Sequence, residues 1–150
     1  MNPRFQNLDK LHLPARPADA RAHLVRALTA LVEEYSAERI IAFGSCVRGD
    51  VTEHSDVDLC VVREHPPGCT HPHLEALTAI SRVRPLISTD VLVRSPRQWE
   101  EARRQPFGVM EEVVRHGLPL YERRRVIQGI RPTGARWRSV TCPAPAAVCG

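Results

Sequence analysis

The sequence predicts a small α/β domain, a mixed β-sheet of three to four strands with helices packed on it. Three observations predict it. An apolar stripe of helical period runs over 19–35; short β-branched runs at 39–43, 56–62 and 87–93 alternate with helical segments; and 150 residues at 43% apolar content can bury one modest core.

In the first helix Leu24, Val25, Leu28, Leu31, Val32 and Tyr35 share a face, while Arg26, Glu33 and Glu34 lie off it. Arg39–Phe43 reads as a buried strand stopped by Gly44-Ser45, with a short helical turn over 45–50. Val57, Leu59 and Val61 alternate with Asp56, Asp58 and Cys60, which predicts a strand over 56–62 whose two faces differ in chemistry. After a Pro-rich loop, Leu74, Ala76, Leu77, Ile80 and Val83 describe a helix that ends before Pro85. A third strand covers 87–93. Ser95 then caps a helix with Pro96 at its first position. A last helix over 107–116 turns Val109, Met110, Val113 and Val114 inward and is closed by Gly117, and Leu118–Tyr121 adds an edge strand.

The net charge of +4 resembles a nucleic-acid binder's, but its placement argues otherwise. Six of the 21 basic residues are arginines of 123–150, a stretch without acids, so 15 basic against 17 acidic residues remain before it, a net of −2. The chain divides into an N-terminal extension (1–18), a catalytic-sized domain (19–122) and a basic Pro/Ala/Arg-rich tail (123–150) of disordered composition. Nucleic acid is thus not expected at the acidic core, and only the tail could grip it. No apolar run reaches the length of a membrane span, and five scattered cysteines suggest no disulfide framework, so a cytoplasmic location is expected. His65, Cys69, His71 and His73 share a loop, but their spacing matches no structural zinc pattern, and a solvated loop is the reading. Trp99 is expected in the core and Trp137 in the tail.

The chemistry concentrates in FGSCVRGDVTEHSDVDLCVV. Asp56 and Asp58, at i and i+2 on a strand, project from one face while Val57 and Leu59 anchor the other. Adjacent like charges need a counter-ion, and magnesium binds through one or two carboxylates plus substrate phosphates. Gly44 and Ser45 stand where a strand gives way to a helical turn, so backbone N–H groups and the Ser45 hydroxyl can meet a phosphate. Arg48, one turn on, can reach phosphate oxygens. Asp90 is a lone acid in an apolar strand; buried unpaired it would be costly, so it is expected as a third metal ligand or a base.

The segment resembles the pattern of the DNA polymerase β-type nucleotidyltransferase superfamily: Gly-Ser, a spacer, then Asp-x-Asp, matched by Gly44, Ser45, Arg48, Gly49, Ser55, Asp56, Asp58 and Leu59. More narrowly it is similar to the minimal nucleotidyltransferases, over about Arg39 to Tyr121. The resemblance implies a magnesium-dependent enzyme with a two-metal site on Asp56, Asp58 and Asp90. Gly44, Ser45, Arg48 and Ser55 would bind the nucleotide, and ATP would donate AMP. The implied acceptor is a hydroxyl of a partner protein, as in antitoxins that modify toxins of the HEPN class. A non-catalytic antitoxin-like subunit and an antibiotic-modifying transferase are the alternatives.

Overall fold

Strands β1 (Arg39–Phe43) and β2 (Val57–Val62) pair antiparallel at the centre of a four-stranded sheet, and the apolar runs expected there lie almost wholly out of solvent. The computed structural model describes residues 4–124, so most of the tail, with Trp137, lies outside the described residues. The chain enters through α1 (Ala20–Glu33), passes β1, the four-residue α2 (Ser45–Arg48) and β2, and crosses over through α3 (Pro72–Arg82) to β3 (Thr89–Arg94). Helices α4 (Pro96–Arg104) and α5 (Val109–His116) precede β4 (Leu118–Glu122). The strand order is β3-β2-β1-β4; β2 and β3 are parallel, the other pairs antiparallel. The expected mixed sheet is therefore present, with β4 as an edge strand.

Alternation along the strands divides the core in two. Ile40 and Ala42 of β1, Val57, Leu59 and Val61 of β2 and Val91 of β3 join Leu24, Leu28 and Leu31 of α1 and Ala76 and Ile80 of α3. On the opposite face Ile41, Phe43, Cys60 and Val62 pack with Trp99 of α4 and Met110 and Val113 of α5. Helices thus cover both sides. Asp58 and Asp90 share the parity of Cys60 and Leu92, which puts them on the α4/α5 face.

Several details depart from expectation. Residues 4–18 are built into the body: Phe5 and Leu11 join the main core, and the Gln6 amide donates to the Leu120 carbonyl, covering the outer edge of β4. Leu8 and Leu13 pack against the same core from either side of Leu11. Val109 stands 45% exposed at the first position of α5 instead of facing inward, while Met110, Val113 and, in part, Val114 pack on the sheet as expected. Gly117 ends α5 with φ −61° rather than in a left-handed cap; its need is space, since a Cβ there would lie 2.2 Å from the Val113 carbonyl oxygen and 2.5 Å from Ile41. The capping of α4 is as expected: Ser95 Oγ accepts from the Gln98 amide and the Gln98 side chain accepts from the Ser95 amide.

Candidate active site

The antiparallel register of β1 and β2 sets Phe43 opposite Asp58, so the turn leaving β1 arrives beside that aspartate. Gly44 has φ +74° and ψ −152°, a conformation essentially confined to glycine. A Cβ at Gly44 would lie 2.2 Å from Asp58 Oδ2. The glycine therefore serves two local demands at once, the turn and the close approach of a carboxylate.

From that turn α2 begins, its first backbone bonds running from the Val47 and Arg48 amides to the Gly44 carbonyl. The amides ahead of them have no acceptor within the helix, as at any helix start. Ser45 is half-buried at this point. Cys46 is fully buried, and its thiol donates to the Asp56 carbonyl at 3.6 Å, tying α2 to the residue just ahead of β2. Ser55 is engaged within its own turn: its Oγ accepts from the Thr52 amide at 2.7 Å and lies 3.2 Å from the Thr52 hydroxyl. This contact forms in the turn just ahead of Asp56.

Parallel pairing of β2 and β3 puts Asp58 directly opposite Asp90. The two acids, 32 positions apart in the chain, are neighbours on one face. Asp90 is exposed, so the penalty for burying it does not arise; β3 is an edge strand, open at this position. Asp58 is half-buried, and burial raises its pKa, followed by the charges of Asp90, Asp56 and Glu112, with Arg48 opposing. Four carboxylates and one guanidinium thus share a single electrostatic neighbourhood.

Among the described residues no three His, Cys, Asp or Glu side chains are arranged to hold a metal ion by themselves. Cys69 of the histidine-containing loop instead donates its thiol to Glu75 at 3.2 Å, far along the sheet from Asp58. None of the helices among the described residues is long and apolar enough to cross a membrane.

A model of the nucleotidyltransferase domain family matches residues 24–115, more than half of the chain. The chain belongs to the nucleotidyltransferase domain family. A crystal structure of a Sulfolobus solfataricus protein assigned as a nucleotidyltransferase is similar at 20% identity and a TM-score of 0.41, covering 69% of this chain and 87% of that one. No curated protein matches the sequence.

The family makes this chain a transferase with a nucleotide substrate, and nucleotidyltransferases generally work with a divalent metal. The residues fit such an ion. Their donors are hard carboxylate oxygens, and the burial and neighbouring acids that raise the pKa of Asp58 disfavour its charged form, which a bound cation would favour.

Two residues of this candidate site escaped sequence reasoning. Cys46 adjoins the Gly-Ser turn, but only its bond to Asp56 gives it a part. Glu112 lies on α5, 64 residues from the Arg48 with which it pairs, and no local signal marks it. Arg48 itself, half-exposed, is held by Glu112 on one side and by Asp50 at 3.3 Å on the other.

Proposed function

We propose that this nucleotidyltransferase moves AMP from ATP onto a hydroxyl of a partner protein, in the manner of antitoxins that modify HEPN-class toxins. Asp56, Asp58 and Asp90 would hold magnesium. The observation that carries this reading is the cross-strand pairing of Asp58 with Asp90 beside Gly44, because it collects acids next to a turn open to phosphate. A bound divalent ion there neutralises triphosphate charge and lowers the pKa of a nearby hydroxyl.

The protein's own residues do the rest. The Gly44-Ser45 turn offers amides and a hydroxyl to the phosphates without a side chain in the way. Arg48 takes charge on the leaving pyrophosphate. The acceptor oxygen forms a bond to the α-phosphorus, the bond to the pyrophosphate oxygen breaks, and the acceptor proton passes to Asp90. A protein acceptor is favoured by the exposed pair Phe107, 89% open, and Val109, which lies one helical turn before Glu112.

The test is incubation with labelled nucleoside triphosphates, magnesium and cell lysate, comparing the native protein with Asp56→Asn and Asp58→Asn. Magnesium-dependent label on a protein, strongest with ATP and lost in both variants, supports the reading. Label on a small molecule would move the acceptor to an antibiotic-like substrate. No labelling with any nucleotide, despite tight binding of a partner, would sink catalysis and leave a non-catalytic binding subunit.

A further inference from the structure

Arg48 closes α2, one turn beyond Gly44-Ser45, and its Nη1 is bound by Glu112 Oε1 from α5. An ion pair this exposed contributes little to stability. Its larger consequence is local. Glu112 occupies the guanidinium that a phosphate would use, and adds negative charge around Asp58 where Asp56 and Asp90 already stand. Asp50 holds the other side of Arg48, but it is two residues away and moves with the same segment, whereas Glu112 ties α2 to a separate helix.

We propose that Glu112 is a positioning residue that holds the Arg48 guanidinium and competes with the nucleoside triphosphate for it. Arginine binds carboxylate and phosphate with the same fork of N–H groups, so the two anions exclude each other at Nη1. Triphosphate entry then exchanges one anionic partner of Arg48 for another, and the return of Glu112 favours departure of pyrophosphate. Glu112 weakens nucleotide binding and shortens product residence. This inference rests on the reading that Arg48 contacts the triphosphate.

The experiment is equilibrium binding of a non-hydrolysable ATP analogue with magnesium to the native protein, Glu112→Gln, Arg48→Ala and the double variant. Glu112→Gln should tighten binding about 3- to 10-fold when Arg48 is present and change nothing in the Arg48→Ala background. Glu112→Asp keeps the charge near Asp58 but shortens its reach, and should also tighten binding, which separates release of Arg48 from simple relief of repulsion. In turnover, KM for ATP should fall in Glu112→Gln while kcat falls or stays level. Equal tightening in both Arg48 backgrounds, or weaker binding by Glu112→Gln, would overturn the inference alone. Failure of the native protein to bind any triphosphate would overturn it together with the transfer reading. Matching thermal melts of the variants confirm that each is folded.

Discussion

Replacing Asp58 by Asn should stabilise the domain while abolishing transfer. Asp58 faces Asp90 directly across β2 and β3, with Asp56 and Glu112 also in its field and Arg48 as the opposing cation. A like-charged cross-strand pair costs about 0.2–1 kcal/mol. Asn also removes the cost of half-burying a charge, the largest cause of the raised pKa; solvent screening keeps each like-charge contribution toward the low end, and the lost attraction to Arg48 offsets part of the gain, leaving about 1 kcal/mol. For a domain of this size that corresponds to a rise in Tm of about 3–5 °C. The sign follows from the raised pKa. The folded state binds the Asp58 proton more tightly than the unfolded chain, so the native protein loses stability as pH rises from the ordinary carboxylate range through the raised value. The advantage of Asn should be complete at pH 7.5 and shrink toward pH 4, where Asp58 is protonated in both states to a growing extent. Thermal unfolding followed by circular dichroism in EDTA, at both pH values and low salt, measures it. Magnesium should then raise the Tm of the native protein and not that of the variant. A variant Tm at or below the native one at pH 7.5, or an equal gain at both pH values, would refute the reasoning.

Gly44→Ala should cost about 1–3 kcal/mol from φ +74° alone, and displace Asp58 because the new Cβ meets its Oδ2; urea denaturation gives the first, and labelling at a temperature where the variant stays folded should give none. Asp90→Asn, at an exposed position, should leave stability within about 0.5 kcal/mol by urea denaturation and lower transfer by about 10²- to 10⁴-fold in the labelling assay. Ser95→Ala removes half of the capping box of α4 and should cost about 1 kcal/mol by chemical denaturation, with activity per folded molecule unchanged.

Much of the site was legible along the chain because its signals are local. A strand's period of two is enough to put Asp58 on one face and Val57 and Leu59 on the other, and the latter two are fully buried, while β2 begins one residue after Asp56. Gly44-Ser45 marked the turn through residue type, and Ser95-Pro96 marked a helix start in the same way. Expectations built on assumed surroundings fared differently. Asp90 was read as buried because its strand is apolar, yet an edge strand leaves it exposed. Val109 was expected inward from its place in the apolar pattern, yet at the first position of α5 it stands exposed.

The sequence alone therefore determined the strands, their polar and apolar faces and the Gly-Ser and Asp-x-Asp pieces, since each depends on residues within a few positions of one another. Tertiary structure decided which pieces meet. The parallel register that sets Asp58 against Asp90 follows from a crossover through α3, and the reach of Glu112 to Arg48 follows from the packing of Met110 and Val113 on the sheet. Register and helix docking are set by the burial of whole faces against each other, a non-local quantity that spacings of 32 and 64 residues do not carry.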